Sequence, residues 1–509
     1  MSNRLTRGWA LILVSIGCSQ AQPEPRAVRP ESRVSVDPIP AELETIEPIR
    51  APFAMPNLER PRFPPRSVDL RAFGAVADGV TPNTEAFRLA IAELARDGGG
   101  SLEVPAGVWL SGPIHLVSNI RLHLQRDARI RFSQNFADYL PPVLTRWEGI
   151  EVYNFSPLIY ARDAENVAIT GEGTLDGQGS AWWPWKQTQK AVAERLYQLA
   201  ADDVPVEKRV LAQEGGLRPS FIQTFGCKNV LVEGVTIQNG PMWTIHPVYS
   251  ENVIVRRVRV ETEGPNNDGC NPDSSRNVLI EDSHFSTGDD CIVIKSGLNE
   301  DGWRVGKPSE NVVVRRVHGE RGHGGVVIGS EMSGGVRNVY AHDCEFVGTD
   351  RGLRIKSMRG RGGWVESIYY EGVRHRDIRL QVVEVTSAYG SSTLVPRSQT
   401  PPLIRDVSVR NISANAAGRA LEIIGLPELP VADVSFEGVS ITAREGARCQ
   451  HCRNVRFHET HIDALVPPRF AIENGQEIRL FQSCGAEPNC LRASSDSSVF
   501  LGDDSKAPM

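Results

Sequence analysis

Asn229-Val230-Leu231-Val232-Glu233, Asn252-Val253-Ile254-Val255-Arg256, Asn277-Val278-Leu279-Ile280-Glu281 and Asn311-Val312-Val313-Val314-Arg315 repeat one phrase at intervals of 23, 25 and 34 residues. Further copies start at Asn166 and Asn338, and degenerate ones at Asp406, Asp433 and Asn454. Asn and Asp tolerate left-handed backbone and hydrogen-bond locally, which suits a corner. The β-branched run that follows reads as a short strand whose Val or Ile points inward. A period of roughly 20–50 residues marks a solenoid, in which each repeat buries its apolar face only against its neighbours. The expected fold is all-β: a single-stranded right-handed parallel β-helix.

Ahead of the repeats, Ala86, Phe87, Ala90, Ile91, Leu94 and Ala95 recur at helical spacing. Thr81 is placed to cap this helix, with Pro82 in its first turn. An amphipathic helix here would cover the open N-terminal end of the coil. Two insertions interrupt the period. Residues 181–218 carry Trp182-Trp183-Pro184-Trp185 and a helix expected over 189–201. Residues 297–310 lengthen a later turn. Long loops on one side of a solenoid line its binding face; the aromatic cluster reads either as a sugar platform or as packing for a lid.

Residues 1–21 have the charged, apolar and small-residue regions of a secretory signal, too short to span a membrane. Ser15-Ile16-Gly17-Cys18 also resembles a lipoprotein box, so a lipid anchor at Cys18 and simple cleavage both stay open. Residues 22–66, rich in proline and charge, read as an extended tether. The coil is placed at 67–480 and a tail at 481–509. Export from a bacterial cell is expected, with periplasmic, outer-membrane and secreted destinations all open. A net charge of −6 argues against a nucleic-acid binder. Oxidising surroundings favour disulfides among Cys449, Cys452, Cys484 and Cys490 over a zinc site, with pairing open. Cys227, Cys270, Cys291 and Cys344 read as buried free thiols.

The chemistry concentrates in four motifs: Asn266-Asn267-Asp268-Gly269, Gly288-Asp289-Asp290-Cys291, Gly322-His323-Gly324-Gly325 and Arg354-Ile355-Lys356. Asp268 to Asp289, Asp290 to His323 and His323 to Arg354 are separated by 21, 33 and 31 residues. Those intervals put the motifs on successive turns. Adjacent Asp289 and Asp290 can both reach solvent only at a strand edge or bulge. Crowded carboxylates should hold at least one proton, which separates an acid from bases as glycoside hydrolysis requires. The glycines around His323 allow a substrate to lie directly against the loop. Arg354 and Lys356 share a strand face and could grip an acidic sugar. Lys295, His246, Trp243 and Ser330-Glu331 are weaker candidates for subsites.

In this order the motifs resemble those of the polygalacturonases of glycoside hydrolase family 28. The resemblance implies the pectin-lyase-like β-helix and an inverting mechanism. By it Asp289 is the general acid, Asp268 and Asp290 activate water, and His323 supports the acid. Arg354 and Lys356 would hold a galacturonate carboxylate, with Asn266, Gly324, Lys295 and His246 as further substrate contacts. Asn267 stands where the family has threonine, with little effect expected. The implied partner is a pectic polysaccharide or oligogalacturonide, cleaved at α-1,4-galacturonosyl linkages by a monomer needing no metal or cofactor. Alternatives are a rhamnogalacturonan or modified-pectin hydrolase, a calcium-dependent eliminase, or a non-catalytic β-helix adhesin. Endo and exo action stay open.

Overall fold

A computed structural model describes residues 45–212, 215–390, 400–484 and 489–502. The proposed signal segment, Cys18 and the first part of the tether lie outside them. The chain coils as three parallel ladders of short strands. In the first, Val230, Val253, Val278, Val312 and Val339 hold one register position on successive rungs. The second ladder includes Arg259–Glu261, His284–Thr287, His318–Arg321 and Glu345–Val347. The third includes Ile245–Val248, Ile292–Ile294, Val326–Gly329 and Leu353–Lys356. This is the parallel β-helix expected from the period.

Its corner is built as the repeated asparagines suggest. Asn166, Asn229, Asn252, Asn277, Asn311 and Asn338 all sit in the left-handed region, with φ between 54° and 58°. From Asn229 onward each side-chain amide donates to the Oδ1 of the asparagine one rung earlier, at 2.9–3.1 Å. The ladder starts at Asn119, which accepts from Asn166 at 2.9 Å. Stacked amides thus satisfy one another where the backbone turns, and they lock the register of the rungs from Asn119 to Asn338.

The phrase also holds an unexpected apolar residue on the outside of the coil: Leu231, Ile254, Leu279 and Val313. Residues 45–66 explain it. Ile46, Ile49, Phe53, Met55, Leu58 and Phe63 lie along that outer face. Arg315 donates to the carbonyls of Glu47 and Pro48, and Arg60 pairs with Glu233 at 2.5 Å. From residue 45 onward, then, the expected tether is a packed strap, and the strands beneath it are buried on both faces.

The helix near the start, α1, spans Thr84–Arg96 and buries Ala86, Phe87, Ala90, Ile91 and Leu94 against the first strands. Thr81 and Pro82 belong instead to the preceding strand Asp78–Pro82, and Asn83 precedes the helix. At the other end, Leu491–Ala493 and Val499–Gly502 pair with Phe470–Ile472 and Ile478–Phe481. The coil therefore runs past residue 480 into the expected tail. Cys484 is bridged to Cys490, whereas Cys449 and Cys452 are buried free thiols, the expected bridging notwithstanding. Both point into the core, where they pack as small apolar groups. Cys227, Cys270, Cys291 and Cys344 are buried and free as expected. Among the described residues no helix is long and apolar enough to cross a membrane.

The asparagine ladder makes a specific prediction. Asn277→Ala adds a left-handed penalty of about 1–2 kcal/mol to the loss of amide bonds worth about 0.5–1.5 kcal/mol each. Asn277→Gly loses only the bonds. Thermal unfolding should rank wild type above glycine and glycine above alanine, the reverse of the order in an ordinary strand.

Candidate active site

Asp268, Asp289 and Asp290 lie at the turn between the second and third ladders. The Cys270–Ile292 pairing sets Asp268 beside Asp290 on the next rung, with the amide of Gly269 donating to the Asp290 carbonyl at 3.0 Å. Pairing of Ile292 with Val326 continues this column to Gly324 and sets Asp289 beside His323. Because the chain bends here rather than running as a strand, both neighbouring aspartates escape the core. Gly324 is required by the stacking: a Cβ there would lie 2.4 Å from Val327 Cγ2 and 3.1 Å from Asp290 Oδ1.

Each carboxylate has its own partner. Asp268 is 3% exposed, accepts from Asn271 Nδ2 at 2.7 Å and lies 3.9 Å from Lys295 Nζ. Asp289 lies 3.1 Å from His323 Nδ1. Asp290 accepts from Lys356 Nζ at 2.8 Å, while its Oδ1 is buried with no hydrogen-bond partner. Burial, and then the charge of Asp289, push Asp268 well above the ordinary carboxylate range. Burial also pushes Asp289 upward, but its hydrogen bond to His323 and the charge of Lys356 outweigh that and leave it lowered. The same bond lifts His323 above 6.5 despite partial burial. The surroundings thus favour the protonated form of Asp268 and the ionised form of Asp289. Beside Asp289 the hydrogen bond favours the protonated form of His323.

Lys295 is buried between Asp268 and Glu331, whose Oε2 lies 2.6 Å away, and it stacks 4.4 Å over the Trp243 ring. Burial works against Glu331 as an anion, but Lys295 and then Arg361 prevail and bring it down to about 2. Arg354 and Lys356 face outward together while Ile355 is fully buried. Arg354 Nε donates to Glu384 at 2.6 Å, and both cations approach the Tyr389 ring, at 5.2 and 5.4 Å.

One expectation needs correction. His246 is fully buried, with Nδ1 against Ser220 Oγ and Gln223 Nε2 and Nε2 facing Asp273, so it supports the floor of the site and cannot touch substrate. Of the two readings of the aromatic cluster, packing holds for Trp182, which is fully buried among Phe136, Tyr139, Phe155 and Trp185. Asn266 accepts from the buried Arg218 at 2.7 Å. Asn267 has a larger part than expected. Its amide donates to the carbonyls of Gly240 and Met242 and accepts from Gly264 and Thr262, pinning the loop before Asp268. Glu384, Tyr389 and Arg218 were missed. Glu384 could have been found, because it is the register partner of Arg354 one rung on.

A wall stands beside the cleft. The hairpin Val143–Trp147 and Ile150–Asn154, the helix Lys190–Ala201 and the helix Asn299–Val305 meet in it. Trp147, Leu196, Leu298 and the cleft residue Trp243 form one apolar cluster there. Buried Arg209 and Asp301 tie its base at 2.6 Å, and Glu148 at the hairpin tip accepts from Tyr197 at 2.7 Å.

The family model for glycosyl hydrolases family 28 matches residues 206–462, which hold the whole carboxylate cluster. The chain belongs to this family. A probable polygalacturonase of Vitis vinifera is 33% identical over 74% of this chain and 74% of its own length. The exo-poly-alpha-D-galacturonosidase of Dickeya chrysanthemi is 29% identical over 71% of this chain and 64% of that protein. The crystal structure of a hyperthermoactive exopolygalacturonase from Thermotoga maritima is 45% identical and superposes with a TM-score of 0.74, over 76% of this chain and 89% of that one. Membership makes the chain a glycoside hydrolase.

The electrostatics predict two opposite shifts of the pH profile. Lys356 lowers both Asp268 and Asp289, so Lys356→Met should move the acidic limb of kcat/KM to higher pH. His323 keeps its proton below its raised pKa and loses it as pH climbs through that value. His323→Ala should therefore bring the basic limb to lower pH. Limbs that stay in place in both variants would refute this partition of charge.

Proposed function

We propose that this chain hydrolyses α-1,4-galacturonosyl linkages of polygalacturonate with inversion. The observation that carries the reading is the stacked trio Asp268, Asp289 and Asp290, each with its own proton or cation partner, beside Arg354 and Lys356. The leaving glycosidic oxygen takes a proton that His323 supplies through Asp289, and His323 regains a proton from solvent. The C1–O bond breaks as water adds to C1 from the opposite face, and its proton passes to Asp290. Asp268, which already holds a proton, orients that water. The outer donors of the Arg354 guanidinium, with Lys356, bind the carboxylate of the sugar being cleaved, and Tyr389 lies beside both.

We infer action from chain ends. The wall of hairpin and helices limits the sugars that fit on the side of Trp243 and Glu148, and two of the relatives above bear exo-acting names. The protein is proposed to act outside the cytoplasm as a monomer.

Polygalacturonate digests test both parts. Asp289→Asn should lower kcat by roughly 10²–10⁴-fold, the usual worth of a general acid, with the fold unchanged by circular dichroism. Wild type should release small products from the first minutes while viscosity falls slowly. An early viscosity collapse with long oligomers would mean internal cutting.

A further inference from the structure

The strands that lead into the catalytic turns carry a second cluster on the outward face of the second ladder. His284 and His318 are register partners, 34 residues apart like Asn277 and Asn311, and their rings stack with centroids 5.2 Å apart. Glu320 lies two residues beyond His318, on the same face. Its Oε1 is 3.1 Å from His318 Nε2 and its Oε2 is 3.6 Å from His284 Nε2. The three ligand atoms lie within 4.8 Å of one another. Zinc bonds to His nitrogen and to carboxylate oxygen run about 2.0–2.2 Å, so neighbouring ligands of a tetrahedral ion sit roughly 3.3 Å apart. The two distances run to the two oxygens of one carboxylate, so Glu320 faces both Nε2 atoms at separations near that value.

The surroundings favour a metal over a bare hydrogen-bonded cluster. Glu345 Oε2 lies 3.2 Å from His318 Nδ1 and is itself held by Arg376 at 3.0 Å. His318 faces a carboxylate at each nitrogen, Glu345 at Nδ1 and Glu320 at Nε2. A carboxylate at one ring nitrogen is the arrangement that orients metal-bound histidines and leaves the other nitrogen, here Nε2, as the ligand. On His284, Nδ1 is buried without a partner, which leaves Nε2 facing outward. Side-chain exposures of 19%, 34% and 48% for His284, His318 and Glu320 leave the cluster open to solvent.

We propose that His284, His318 and Glu320 bind one divalent transition-metal ion of the zinc type. Two imidazoles and a carboxylate suit such an ion better than calcium or magnesium. The fourth position is left to water. The ion clasps two rungs: His284–Thr287 runs directly into Gly288-Asp289-Asp290, and His318–Arg321 into Gly322-His323. Its role is to hold the register of the catalytic corner, outside the cleft.

The test is titration of chelator-treated protein with Zn²⁺ alone, and with Co²⁺ followed by visible absorption. One ion per chain should bind, Co²⁺ should show a nitrogen-ligated spectrum, and zinc should raise the unfolding temperature. His318→Ala should abolish stoichiometric binding. Glu345→Gln, which leaves all three ligands in place, should weaken it by about 10–100-fold. Asp289→Asn should bind as wild type does. No stoichiometric binding, full binding by His318→Ala and Glu345→Gln, or loss of binding in Asp289→Asn alone would each overturn the proposal.

Discussion

At one corner of every middle rung, an asparagine in left-handed backbone gives its amide proton to the asparagine one rung earlier. That contact does two things. It satisfies polar groups at a turn that would otherwise strand them, and it fixes which residue lies above which. Side chains alternate between core and surface with a period of two, so a one-residue slip would turn every core valine outward. With the register fixed, residues about one turn apart in sequence become neighbours in space. The active site is a consequence of that constraint.

Register also explains how so much charge is tolerated in so little space. Asp268 and Asp290 are adjacent on one column, and Asp289 and His323 on the next. Buried carboxylates this close cannot all stay ionised without counter-charge. The coil supplies a partner to each in a different way: Asn271 and a nearby Lys295 for Asp268, His323 for Asp289, and Lys356 for Asp290. The lysines are buried too, and the carboxylates keep them charged in spite of it. Removing any one member should therefore shift the proton affinity of the others, as a set rather than as independent groups.

The fold and the clustering of the candidate residues were legible because both are written in the period. The Asn-Val phrase marks the corner, and the four motifs fall at intervals close to a turn. What the sequence hid lies off the period or depends on depth. Nothing local distinguishes His246, sealed beneath Trp243, from a histidine at the surface. The aromatic run at 182–185 reads equally as a sugar platform or as packing, and only the cage of Phe136, Tyr139 and Phe155 decides it for Trp182. Proline in residues 45–66 suggested a loose tether, whereas the apolar third residue of each phrase was the overlooked sign of a strap. Carboxylate crowding was foreseen, but its outcome was not. Which aspartate keeps the proton depends on His323 bonding Asp289, and so on an arrangement that spacing alone does not contain.

The central claim is that stacking lodges a proton on Asp268 while Asp289 is held ionised by His323. Infrared difference spectroscopy reads it directly. At about pH 5.5, where an ordinary aspartate near 3.9 is ionised, wild-type protein should show the stretch of a protonated carboxyl that disappears in Asp268→Asn and persists in Asp289→Asn. A band that is absent from wild type, or that vanishes with Asp289 and not with Asp268, would contradict the account.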